Sequence, residues 1–106
     1  NITLSTADED TRIVYQSDVL FPAWPNPLPA GKEVTVGWHL HEPTEMRLEL
    51  FDVRGRLVDI WLPMQAFPRG HHQQSFALEA LHSGTYFYRL TTAGGLVRSH
   101  TIQVID

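Results

Sequence analysis

Histidines and carboxylates are the groups with which this 106-residue chain would do chemistry, and it has six of the first and twelve of the second. His39 and His41 are two apart, so on a strand both imidazoles leave one face, and His71-His72 offers two more from what reads as a loop. Zinc requires three or four convergent ligands. Polar side chains at alternate positions are also what the wet face of a half-buried strand carries, so the histidines read as surface residues and no metal is expected. A glycosidase would set two carboxylates across a cleft. Asp52 and Asp59, with Glu49 or Glu79, are the acidic residues near patterned segments, and Asp52 is better explained by a turn in Asp52-Val53-Arg54-Gly55. Ser75, Ser83 and Ser99 lack a nucleophile-elbow setting. No catalytic set and no cofactor is expected. The aromatic residues carry one alternative. Trp24 and Trp61, with Phe87, read as outward-facing, and exposed rings are what a carbohydrate-binding module stacks on sugars.

The elements that would hold these residues are strands. Val34, Val36, Trp38 and Leu40 alternate strictly with Thr35, Gly37, His39 and His41, which predicts a half-buried strand with Trp38 in the core. Leu48 and Leu50 lead into Asp52-Val53-Arg54-Gly55, after which Val58, Ile60 and Leu62 resume the alternation. That is a hairpin, with Asp52 bonding the turn backbone and Gly55 taking the positive φ that closes it. Gly55 is therefore the position least tolerant of replacement. Pro63 to Gly70 reads as a loop, and Gln74, Phe76 and Leu78 as the next strand. Ser83-Gly84-Thr85-Tyr86 resembles the corner of an immunoglobulin-like sandwich, where a tyrosine hydroxyl returns to upstream backbone. From Leu96 to Ile105 the parity is mixed, since Arg98 and His100 share a face with Ile102 and Val104, and a bulge is expected between the halves. Four prolines between Pro22 and Pro29 place that segment along a sheet edge or around a corner.

About seven strands at this spacing, with no helical period, predict an all-β immunoglobulin-like sandwich. At 106 residues there is room for one two-layer core. The net charge of −4 disfavours nucleic acid and anionic membranes as partners, and no apolar run is long enough to cross a bilayer. The lack of cysteine leaves the compartment open. Asn1 follows no initiator Met or leader pattern, so the chain reads as a piece of a longer polypeptide.

Taken in order, Pro25-Asn26-Pro27, Leu48-Glu49-Leu50-Phe51-Asp52-Val53-Arg54-Gly55-Arg56-Leu57-Val58, Gly70 with His72, and Leu81-His82-Ser83-Gly84-Thr85-Tyr86-Phe87-Tyr88-Arg89-Leu90 resemble the C-terminal sorting domains of the type IX secretion system of Bacteroidetes-type bacteria. The pattern is shared with the immunoglobulin-like domain of the flagellar hook-capping protein, a structural assembly module, which implies as the alternative a structural accessory module of a larger extracellular protein beside the carbohydrate-binding one. The resemblance implies a domain from residue 19 to residue 106, behind a linker or extra strand in residues 1–18 that holds or adjoins a processing region. It implies an upstream cargo domain, recognition by the outer-membrane translocation machinery, a surface sortase-like peptidase, and passage through the periplasm to the cell surface or beyond. The residues it singles out for recognition are Pro25, Asn26, Pro27, Asp52, Gly55, Gly84, Tyr86, Arg98, Ile102 and Val104. Where the family carries lysines near the end, this chain has Arg98 and His100 and finishes on Asp106.

Overall fold

The computed structural model describes residues 2–4, 13–15, 17–78 and 81–106. The cluster Asp8-Glu9-Asp10, most of the expected processing region and Glu79 lie outside the described residues. The strands are β1 (Ile2–Leu4), β2 (Ile13–Tyr15), β3 (Val19–Leu20), β4 (Leu28–Pro29), β5 (Glu33–Leu40), β6 (Thr44–Asp52), β7 (Leu57–Phe67), β8 (Gly70–Ala77), β9 (Gly84–Thr92) and β10 (Val97–Ile105). β1 and β2 pair with each other. The other eight make a five-stranded sheet, ordered β4-β10-β9-β6-β7, and a three-stranded sheet, ordered β3-β5-β8.

The two sheets close on one core, as the alternation in β5 predicts. Val34, Val36, Trp38 and Leu40 of β5 face Met46, Leu48 and Leu50 of β6, Tyr88 and Leu90 of β9, and Ile102 and Val104 of β10, all almost wholly removed from water. Each such side chain contributes roughly 1.5–3 kcal/mol by burial, set against an ordering cost on the order of 1–2 kcal/mol per residue. Tyr88 lies deep enough that burial pushes its phenol up to about 12. Its hydroxyl donates to the Phe21 carbonyl at 2.9 Å, joining the sheets through a polar contact.

The proline-dense segment joins them through the backbone. Trp24 exchanges two backbone bonds with Thr35 of β5, at 3.0 and 2.8 Å, and four residues later Leu28 and Pro29 lie parallel to Val104 and Ile105 of β10. The segment thus turns a corner from one sheet to the other. It also adds a strand, which is why the sandwich has eight where about seven are expected.

Three expectations are corrected. The loop expected from Pro63 to Gly70 shrinks to Pro68-Arg69, because β7 runs through Pro63 to Phe67 and His71-His72 belong to β8. β7 pairs with β6 alone, and an edge strand tolerates a residue without an N–H. Second, Val58 and Ile60 are exposed while the consecutive residues Trp61 and Leu62 are both buried. Register shifts against β6 allow this, with Leu48 opposite Leu62 but Phe51 opposite Leu57. Trp61 is drawn inward by Phe76 of the facing sheet, the rings parallel within 4° and 4.6 Å apart, so it is not the outward sugar-stacking residue expected. Third, β10 pairs with β9 from Val97 to Val104 without interruption, so the expected bulge is absent. Arg98 and His100 share the inward face by the parity of β10; Arg98 is exposed, and His100 is half-buried with its Nε2 2.7 Å from the Leu20 carbonyl of β3.

The register shift gives two neighbouring residues opposite weights. Leu62→Ala is expected to cost about 2–5 kcal/mol, and Ile60→Ala about 0.5 kcal/mol or less, both read from urea denaturation midpoints. Equal losses would place Ile60 in the core.

Candidate recognition surface

The hairpin between β6 and β7 is built by Asp52. Its Oδ1 accepts from the backbone N–H of Arg54 at 2.9 Å and of Arg56 at 3.0 Å, and its Oδ2 accepts from Arg56 Nε at 2.8 Å. The Gly55 N–H closes the turn onto the Asp52 carbonyl at 3.0 Å, with Gly55 at φ 82°. The Arg56 backbone N–H leads the interactions that hold the Asp52 carboxyl below its usual range. The same plan recurs between β9 and β10. There Thr92 accepts from Gly95 through its carbonyl and from Leu96 through its hydroxyl, with Gly95 at φ 94°.

Tyr86 makes the expected corner, its hydroxyl donating to the His82 carbonyl at 2.8 Å. The strand register then places the motif residues in rows. Asp52 is opposite Tyr86 and Tyr86 opposite Ile102; one row further along, Gly84 is opposite Val104 and Val104 opposite Leu28. Asn26 joins this end from the side. Its Oδ1 accepts from the Gln103 N–H at 3.0 Å and its Nδ2 donates to the Thr101 carbonyl at 3.4 Å, so a side-chain amide stands in for a neighbouring strand on β10. Pro25 and Pro27 flank it, each preceded by a cis peptide bond. Of the recognition residues expected from sequence, only Arg98 lies apart, opposite Leu90 and one row beyond His100 and Tyr88.

Toward its start this edge of β10 has no strand partner among the described residues, and the Val97 C=O there accepts from Arg98 Nη1 at 3.1 Å. Thr101 C=O and Gln103 N–H both point at Asn26, and the two-residue period of a strand sends the N–H and C=O of Ser99 the same way. Among the described residues no strand or side chain covers them.

The outer face of the five-stranded sheet carries features that outward parity alone would have found. Phe51 and Phe87 are cross-strand partners pointing away from the core, and the Arg89 guanidinium lies 4.4 Å over the Phe51 ring. Arg89 and Arg98 are opposite Glu49 and Leu90 respectively, hence on opposite faces, and form no common basic spot.

On the other sheet His39 pairs with His71, their rings 5.9 Å apart. His41 instead meets Asp18, its Nδ1 at 2.6 Å and its backbone N–H at 3.0 Å from Oδ1. Asp18 was not singled out by sequence; it is buried, and neither its neighbours nor its spacing marks it. The Asp18 hydrogen bond, aided by the charges of Asp18 and Glu42 and opposed by desolvation, raises His41 above its usual value. Among the described residues no three metal-ligating side chains gather. Glu49 is paired with Arg47 at 2.9 Å and Asp52 with its own turn. Trp24 is half exposed, with its ring edge above Gly37, and shares no surface with the buried Trp61.

A family model described as the secretion system C-terminal sorting domain matches residues 22–104. Among solved structures, an alkylpurine DNA glycosylase of Pseudomonas fluorescens bound to DNA containing an abasic site analog is similar at 8% identity and a TM-score of 0.57, over 85% of this chain and 31% of that one. The chain spans under a third of that protein, and the likeness is one of fold alone. The CARDB domain of a Pyrococcus furiosus protein in complex with di-metal ions is similar at 15% identity and a TM-score of 0.45, over 86% of this chain and 96% of that one. No curated protein matches the chain.

Two outcomes follow from the geometry. Asn26→Ala should speed amide exchange at Gln103 roughly 3- to 10-fold, the worth of one net hydrogen bond; unchanged exchange would show the side chain does not pair with β10. Because His41 titrates higher folded than unfolded, its contribution is complete below the unfolded value and disappears as pH rises through the folded one. The melting temperature should therefore fall as pH rises above the ordinary imidazole value of about 6.5, and His41→Asn should flatten that slope.

Proposed function

The chain belongs to the family of secretion system C-terminal sorting domains, and we propose that it is the signal carrying an upstream cargo domain across the outer membrane through the type IX machinery. The observation that carries this reading is the extent of the family match, residues 22–104, which takes in the proline segment, both hairpins, the tyrosine corner and nearly all of β10. The module works by being recognised, without catalysis of its own. Its destination is the cell surface or the medium, after transit through the periplasm. A surface sortase-like peptidase would act in the segment before residue 19, releasing the cargo or leading to its attachment.

Strand addition to β10 is the mechanism of recognition we favour. The open N–H and C=O groups at Ser99 offer backbone pairing that is indifferent to side-chain identity, as a signal shared by many cargoes requires. The adjoining edge at Thr101 and Gln103 is already taken by Asn26, and at Ile105 by the Ala30 N–H at 2.6 Å. A partner strand would therefore dock at the first half of β10.

A reporter fused ahead of residues 1–106 in a type IX-competent bacterium is expected outside the cell. Retention in the periplasm with the module folded would reject the reading. Ser99→Pro removes an edge N–H without touching the β9 pairing, and is expected to lower export severalfold while leaving the melting temperature nearly unchanged. Full export of that variant would exclude strand addition at β10.

A further inference from the structure

We propose that the outer face of the five-stranded sheet binds an acidic peptide segment of a partner protein, in a groove floored by Phe51 and Phe87 and flanked by the guanidinium groups of Arg54 and Arg89. The groove encloses about 360 Å³ and is completed by Val53 at the hairpin tip and Ser99 on β10. The binding is argued from the groove itself; only the identity of the partner, a component of the export machinery, rests on the sorting reading above.

Charge decides the class of occupant. Arg47 is neutralised by Glu49 at 2.9 Å and Arg56 by Asp52 at 2.8 Å. Arg54 and Arg89 form no ion pair within 4 Å among the described residues; Glu49, the cross-strand neighbour of Arg89, is engaged by Arg47, and no acidic side chain lines the groove. In a chain of net charge −4, this groove is a local reversal of sign. Arg89 is held ready by the Phe51 ring beneath it, which covers one face of the guanidinium and leaves its N–H edges available to fork a carboxylate. Arg54 is anchored at its backbone by Asp52 Oδ1.

The floor decides the rest. Phe51 and Phe87 lie side by side, and the patch continues onto the exposed Val53 and, across from Phe51, Leu57. A sugar acid would present a ring of hydroxyls to this floor, where the Ser99 hydroxyl is the one neutral hydrogen-bonding side chain in the lining. A glutamate or aspartate flanked by apolar side chains satisfies both the guanidinium groups and the rings.

The test is a titration of the ¹⁵N-labelled chain with acetyl-Leu-Glu-Phe-Glu-Leu-amide and with its neutral counterpart, acetyl-Leu-Gln-Phe-Gln-Leu-amide. The acidic peptide should shift the amides of Phe51, Arg54, Phe87 and Arg89 with a Kd of about 1 mM or tighter, and the neutral one should bind at least about tenfold more weakly. Arg54→Gln with Arg89→Gln should lose the same factor while the resonances of the buried Val34 and Val36 in the other sheet stay in place; Arg54→Gln alone, at the exposed hairpin tip, serves if the pair disturbs folding. Equal binding of the two peptides, shifts confined to other strands, or none at several times that concentration would overturn the proposal. So would tighter binding of trigalacturonate at the same resonances, which would assign the groove to an anionic glycan. The titration is done on the isolated chain, so its outcome is independent of whether a fused reporter is exported.

Discussion

The antiparallel pairing of β6 with β9 is the constraint on which the rest depends. Its register sets Leu50 opposite Tyr88 and Leu48 opposite Leu90 on the inward face, and Phe51 opposite Phe87 on the outward one. A strand has a period of two, so a slip of β6 by one residue would drive Phe51 into the core and turn Leu48 and Leu50 out to water. Two local devices hold the register at the same end of the sheet. Asp52 fixes where β6 stops by bonding three groups of its own turn, and the Tyr86 hydroxyl fixes where β9 starts by tying it to His82. Because Asp52 and Tyr86 are themselves paired, the two devices brace a single row.

Edge protection follows from the same end. A final strand is a liability, since each alternate backbone group faces outward with nothing to bond. Here the proline segment covers the last half of β10, by β4 at Val104 and Ile105 and by the Asn26 amide at Thr101 and Gln103. Proline suits that position because a segment that cannot donate at its prolines cannot itself be extended by a further strand. The cover stops short of Ser99. On the opposite side of the sheet, β7 is left to protect itself by Pro63 and by the irregular register that bends it.

Legibility in the sequence tracked how locally each feature is determined. The β5 alternation reads directly because Val34, Val36, Trp38 and Leu40 are buried at every second position, with Gly37 the one buried residue between them. The Asp52 turn and the Tyr86 corner read because their bonds close within four residues. β7 did not, since the inward turn of Trp61 is set by Phe76 in the other sheet and no feature of Leu57 to Phe67 announces it. Nor did the first half of β10. His100 takes an inward position because its imidazole is met by the Leu20 carbonyl of β3, and that is a fact about a strand some eighty residues earlier. The outer-face groove was half legible. Phe87 and Arg89 could be placed outward by parity, but the approach of Arg54 and Ser99 requires the completed sheet.

That requirement bears on what the surface can report. Phe51, Phe87 and Ser99 come from β6, β9 and β10, and they adjoin only when those strands have paired in register. An unfolded chain presents the same residues separated by long stretches of polymer, so a partner that grips the groove is indifferent to it. The open edge of β10 behaves likewise, since its backbone groups are aligned by β9. A linear tag would be read whether or not the module had folded. On the proposed reading, a signal distributed over three strands would be read only after the two sheets have closed, which would couple recognition to the burial of Leu48, Leu50 and Tyr88 and make the core residues of the sandwich indirect determinants of export.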